Sequence, residues 1–193
     1  VVFFCLERRY DIMKTSTRNL VLAGMFLALG LILPFLTVQI PELGSRLLPM
    51  HIPVLLCGFI CGARYGLAVG FITPLLRSVL FSIPVLFPMA VSMAFELAAY
   101  GAIAGILYNL LPCRKSSVCV TLIVSMLCGR LIWGAVCYIL FGISGTPFTW
   151  GMFTAGAFIN AVPGIILQLV IIPFIVFPTE RYQTKVHGVQ RTS

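Results

Sequence analysis

The chain is short of charge. Of its 193 residues, 5 are Asp or Glu and 2 are His, and charged residues of all kinds make up 9%. A soluble domain carries about 25% charged residues, so a water-facing globule is excluded. His51 and His187 stand far apart, and neither H-E-x-x-H nor any other paired-His spacing occurs. That removes the usual helical zinc site. No G-x-x-x-x-G-K-[ST] loop is present either, so ATP is not bound and hydrolysed in that way. The cysteines number 7, an odd count, and most lie inside apolar runs, which argues against a disulfide framework. Cys57 and Cys61 are one helical turn apart with no further ligand nearby, and read as small packing residues. No metal and no cofactor is expected.

Nucleophilic chemistry is equally poorly supplied. His51 belongs to an outer rim and His187 to an inner tail, so no Ser–His pair shares a depth. An intramembrane hydrolase needs an activated nucleophile beside a base, and Glu96 alone with Ser92 one turn away is weak evidence for that. The chain is not expected to be an enzyme. Its net charge of +8 does not mark a nucleic-acid binder, because the basic residues are not interleaved with aromatics on one patch.

Apolar length is what the chain has in quantity, at 60% hydrophobic residues and a mean hydropathy of +1.08. Six runs stand out: about Leu20–Val38, Ile52–Ala63, Tyr65–Ile83, Pro88–Tyr108, Val118–Phe141 and Trp150–Phe177. Barrel strands would be alternating segments of about 10 residues, whereas most of these runs have the roughly 20 residues of a membrane helix. The expected fold is all-α: a polytopic membrane protein with six transmembrane helices in one compact bundle. The second and third runs are short and interrupted by glycine, so five helices with a re-entrant segment is the alternative. Residues 1–13 form an N-terminal cytoplasmic extension, 14–178 the membrane domain, and 179–193 a basic cytoplasmic tail.

Orientation follows from the basic residues. Arg8, Arg9, Lys14, Arg18, Arg64, Arg114, Lys115, Arg181, Lys185 and Arg191 fall on one side of a six-span chain, and Arg46 alone on the other. The excess of Lys and Arg on cytoplasmic loops then places both termini in the cytoplasm. Small residues recur at four-residue spacing: Gly24 and Ala28; Gly62, Gly66 and Gly70; Ala90, Ala94, Ala98 and Ala102. Such spacing lets helix backbones approach closely in lipid. It serves internal packing or, at Gly24, Ala28, Gly66 and Gly70, docking of another membrane protein.

The remaining signal is polar. With the topology fixed and 1.5 Å of rise per residue, Arg77, Glu96, Asn160 and Arg130 lie roughly 9, 12, 14 and 16 Å below the outer helix ends. Four helices thus contribute to one layer of the outer half. Ser92, Glu96 and Tyr100 share a stripe on helix four; Met126, Arg130, Gly134 and Tyr138 on helix five; Gly156, Asn160, Gly164 and Gln168 on helix six. A charged side chain at such depth faces a cavity or a partner. The bland reading is a structural ion-pair network. The functional one is a pocket in which two arginines against one carboxylate leave a positive charge for a carboxylate or phosphate on a ligand. Tyr100, Trp133, Tyr138 and Phe95 would wall it. His51, after Pro49-Met50, is a loop-packing residue or part of a lid.

The segments TRNLVLAGMFLALGLIL, LLPMHIPVLLCGFICGARYGLAVGFITPLLRSVLF and PMAVSMAFELAAYGAIAGILYNLL, with H-x-P-x-x-x-x-G-x-x-x-G at His51–Gly62, resemble the substrate-binding S component of energy-coupling factor (ECF) transporters. The resemblance covers about Lys14 to Phe177. It implies a six-helix membrane subunit that captures a vitamin from outside, under the loops after helices one, three and five. It further implies docking on a shared transmembrane subunit driven by two cytoplasmic ATPases, with release on toppling in the membrane. The family's Ala-x-x-x-Ala docking patch matches Gly24 and Ala28. The surplus arginine favours an acid, and among the family's vitamins pantothenate fits best, with Glu96 and Asn160 taking its hydroxyls and amide. Membrane capture of a small organic acid by Arg77, Ser92, Glu96, Tyr100, Arg130, Trp133 and Asn160 is the reading that follows. An intramembrane enzyme using Glu96 and a structural assembly protein are the alternatives.

Overall fold

The computed structural model describes residues 16–38, 49–111, 115–143, 145, 149–156 and 161–190. All six apolar runs become helical, the sixth in pieces. The helices are α1 Ser16–Val38, α2 His51–Cys61, α3 Ala63–Phe81, α4 Val91–Leu110, α5 Lys115–Ile143, α6 Trp150–Thr154 and α7 Val162–Gln190. No strand occurs among the described residues, and the chain is a helical membrane bundle. Among the described residues, three stretches are long and apolar enough to cross a membrane: Thr17–Phe35, Leu86–Leu110 and Ser116–Ile143. α3 has 19 residues but carries Arg64 and Arg77; α2 and the apolar part of α7, Val162–Phe177, are shorter. The outside of the bundle is apolar, with Leu20, Ile32, Val79, Leu131 and Phe174 all exposed. Water would penalise that surface, whereas lipid chains are as apolar as leucine.

α2 is the centre. Its 11 residues are all buried except Ile60, as befits a helix that is hydrophobic all round. It rises about 16 Å, roughly half the hydrocarbon core of a bilayer. Gly62 ends it, with φ at +91°, a conformation open to glycine because it has no Cβ. The Gly62 N–H donates to the Gly58 carbonyl at 3.2 Å, and the chain enters α3 at once.

Glycines bring α3 and α4 together. A Cβ on Gly101 would overlap the Gly66 carbonyl, one on Gly70 the Leu97 carbonyl, and one on Gly105 the backbone of Ala63. Gly66 and Gly70 therefore face α4 inside the bundle. Their expected docking role is corrected: their smallness permits backbone contact between α3 and α4. Gly24 has nothing within 4 Å of an added Cβ, and it and Ala28 are exposed on α1.

The link from α3 to α4 is fastened from α3. Arg77 Nε donates to the Ile83 carbonyl at 3.0 Å, and the Ser78 hydroxyl to the Pro84 carbonyl at 2.7 Å. An irregular turn, Leu86–Ala90, then leads into α4, with the Ala90 N–H donating to the Val85 carbonyl at 2.9 Å.

The sixth run is described in two helical parts, with residues 157–160 between them outside the described residues. α6 is Trp150–Thr154, and α7 begins at Val162 with Pro163 in its first turn. Proline suits a first turn, where its missing N–H costs no helical hydrogen bond; α1 and α3 also hold Pro34 and Pro74 in their interiors, as membrane helices tolerate. The expected stripe from Gly156 to Gln168 runs through residues 157–160, and with them Asn160 lies outside the described residues. So do residues 1–13, the 39–48 loop with Glu42 and Arg46, and residues 112–114. α7 runs on to Gln190, past the expected boundary at Phe177.

Candidate functional site

Glu96 organises the site. It sits with Ser92 and Tyr100 on the inward face of α4, and all three are buried. From α5, Arg130 Nη1 lies 3.0 Å from Glu96 Oε1. One turn along α4, the Tyr100 hydroxyl donates to the same oxygen at 3.0 Å. His51, the first residue of α2, brings Nε2 to 3.7 Å from it, too far for a hydrogen bond. The His51 and Tyr100 rings are 5.3 Å apart. Three helices thus converge on one carboxylate oxygen. Gly129 makes room for the arrangement, since a Cβ there would run into the Tyr100 ring.

A buried ion pair is weak evidence for stability, because desolvation offsets its attraction. Its value here is the polar atoms it leaves over. Arg130 Nε and both His51 ring nitrogens are buried without a hydrogen-bond partner. An uncompensated buried donor costs about 1–3 kcal/mol. A bound molecule with acceptor oxygens would relieve it.

Arg77 does not join this cluster. It is buried, with Nε on the Ile83 carbonyl and its guanidinium carbon 5.4 Å from the centre of the Phe35 ring. Its Nη1 is buried and unpartnered. The expectation that Arg77, Glu96 and Arg130 meet is therefore corrected: Glu96 and Arg130 pair, while Arg77 holds the α3–α4 link. Its partner is a backbone carbonyl, which no charge pattern announces.

Ser92 donates its hydroxyl to the Met89 carbonyl at 2.9 Å. It supports the turn into α4 and is not poised beside a base. Trp133 is buried and stacks on Phe153 of α6, with ring centres 6.4 Å apart. Gly156 lies against the indole and Gly134 against the Phe153 ring, so this aromatic pair joins α5 to α6 one turn beyond Arg130. Tyr138 and Phe95 were expected to wall a pocket but are 70% and 45% exposed. A four-residue stripe drifts about 40° per step on a helix of 3.6 residues per turn. By Tyr138 the α5 stripe has rotated outward, and Cys137 is the buried residue instead. An apolar groove of about 390 Å³ between α5 and α6, lined by Leu131, Ala135, Tyr138, Trp150 and Phe153, opens on that outer face. It carries no charged group and is separate from Glu96.

Sequence reasoning placed Gln168 on a helical stripe but not in the site. Both its amide atoms are buried and unpartnered, as is the Thr121 hydroxyl. The signal available was an amide alone in the apolar run GIILQLVII. Among the described residues, no three His, Cys, Asp or Glu could hold a metal.

No curated protein and no solved structure matches the chain. A family model described as ECF transporter, substrate-specific component, matches residues 18–176. That span takes in all the apolar helical stretches and the whole Glu96 cluster. The chain belongs to the substrate-specific components of ECF transporters, which are binding subunits for transport and not enzymes.

Proposed function

We propose that this subunit captures a small, acidic, vitamin-like molecule at the Glu96–Arg130 cluster. The observation that carries the reading is a buried ion pair with donors left over: Arg130 Nε and the His51 ring beside it, and Arg77 Nη1 nearer the α3–α4 link. A carboxylate or phosphate accepts several charge-assisted hydrogen bonds at once, and guanidinium is shaped to give them. Ser92, Tyr100, Trp133 and Asn160 complete the proposed lining, with His51 at its rim and pantothenate as the leading candidate ligand.

The basic-loop asymmetry supports a chain in the cell membrane with both termini in the cytoplasm and the cluster in the outer half. Capture is then from outside. Delivery requires an ECF transmembrane subunit and two cytoplasmic ATPases, since this chain has no P-loop of its own. Of the small residues, Gly24 and Ala28 are left free for docking on that subunit.

The test is direct. The chain is purified gently in detergent and denatured, and released small molecules are identified by mass spectrometry. An organic acid is expected from the wild type, with at least a tenfold loss in Arg130→Ala. A wild-type chain that releases nothing, or a cation, sinks the proposal.

A further inference from the structure

With Arg77 held at the α3–α4 link, the charges that meet at Glu96 cancel: one carboxylate and one guanidinium, 3.0 Å apart. An acid bound there adds a negative charge to a buried site. An unbalanced charge in an apolar interior is costly, and a group in that position changes its protonation instead.

His51 is placed to take the balancing proton. It is buried, its Nε2 lies 3.7 Å from Glu96 Oε1, and neither ring nitrogen has a hydrogen-bond partner. A neutral imidazole has one donor nitrogen and one acceptor nitrogen. The two donors that share Glu96 Oε1 with it, Arg130 Nη1 and the Tyr100 hydroxyl, are both spent on that oxygen. The acceptor nitrogen of a neutral ring therefore goes unmet. An imidazolium has two donors and no acceptor, which suits a ring set between two carboxylates, that of Glu96 and that of a bound acid.

The other charged and titratable groups around α2 are engaged or distant. α2 packs against α1, α3, α4 and α7. α1 brings Arg18, whose charge acts on Cys61 at the opposite end of α2. α3 brings Arg77, bonded to the Ile83 carbonyl, and Arg64 and Tyr65, which open α3 just after that opposite end. α4 faces His51 with Glu96 and Tyr100, while its Tyr108 packs on Phe59, about two turns along α2. From α5 come Arg130 and the Cys137 thiol, which meets Ser92. α7 carries no charged or titratable residue from Val162 to Phe177. Cys57 and Cys61 of α2 itself lie about 9 and 15 Å along its axis. Of these side-chain types, histidine is the one that ordinarily changes charge between about pH 5 and 8.

We infer that His51 is a proton-accepting residue of the binding site: the acid enters together with one proton from the aqueous side, and His51 holds that proton while the acid is bound. This rests on the site proposed above. The proton adds to an imidazole nitrogen lone pair, no other bond changes, and the loaded site is neutral again. Capture then weakens as pH rises, by up to tenfold per unit where the histidine of the empty site is neutral.

The experiment uses the full chain in detergent and the compound it carries through purification. Retention of that compound is measured by mass spectrometry after equilibrium dialysis at about pH 6 and about pH 8.5, on either side of the ordinary histidine range. The wild type is expected to retain at least tenfold less at the higher pH, and His51→Gln to show weaker retention without that pH dependence. A flat wild-type profile overturns the inference and leaves the Arg130 site standing, as does a profile that persists undiminished in His51→Gln. A second measurement decides if His51→Gln does not fold or retains nothing. His187→Gln leaves His51 as the sole histidine of the chain, and its ring nitrogen shifts are read by NMR with the compound bound and after it is stripped, at one pH of about 7.5. An imidazolium when loaded and a neutral ring when stripped are expected; the same state in both overturns the inference. A wild-type chain that carries no compound at either pH overturns the site itself, and this inference with it.

Discussion

Arg130 on α5 and Glu96 on α4 are 3.0 Å apart, and each is almost wholly buried. Removing one partner strands the other in the interior. Arg130→Ala is expected to destabilise the chain by about 3–5 kcal/mol, seen as a lower unfolding temperature in detergent. The double change Glu96→Gln with Arg130→Met leaves no unpaired charge and is expected to recover most of that loss. A double variant as unstable as Arg130→Ala would mean that the pair does not act as a unit.

Tyr100 bonds Glu96 from below and rests against Gly129. Tyr100→Phe removes one hydrogen bond to a charged group, worth about 1.5–3 kcal/mol. Gly129→Ala pushes a methyl into the ring and is expected to cost about 1–3 kcal/mol as overpacking. Both are read by thermal unfolding, and unchanged melting in either variant would contradict the packing described.

Small residues on two faces are expected to respond oppositely. Gly101→Ala drives a methyl into the Gly66 carbonyl, which parts α3 from α4 and lowers stability. Gly24→Leu meets nothing within the bundle and leaves stability and ligand retention unchanged. It should nevertheless weaken co-purification with the transmembrane subunit. Undiminished co-purification would remove α1 as the docking face.

Arg77 is expected to separate structure from binding. Arg77→Lys keeps the charge but loses the planar fork that reaches the Ile83 carbonyl. Unfolding should move to lower temperature, while retention of the acid falls less than in Arg130→Ala. Equal loss of ligand in both variants would place Arg77 in the binding cluster after all.

Much of this was legible in the residues alone. Apolar length gave the helices, and the four-residue spacing of Ser92, Glu96 and Tyr100 gave a common face within a short stretch, before drift accumulates. The same rule failed at Tyr138, two turns past Arg130, because 3.6 residues per turn rotates a stripe away from its seam. Spacing also could not tell an inward glycine from an outward one. Gly66 and Gly24 look alike until α4 is in place. The roles of Arg77 and Gln168 escaped for opposite reasons: the Nε of the first is taken by a carbonyl that every residue possesses, and the amide of the second has no partner in the fold.

The enclosure of α2 has a mechanical consequence. With neighbours on all sides of it and α3 touching α4 backbone to backbone, the middle of the molecule has no slack for one helix to slide past the next. Whatever reorientation the importer imposes must turn this middle as a keel, with the Glu96–Arg130 pair riding in it unaltered. Any change that frees a passenger must then arise outside the α2–α3–α4 core, beyond the reach of the glycine seam.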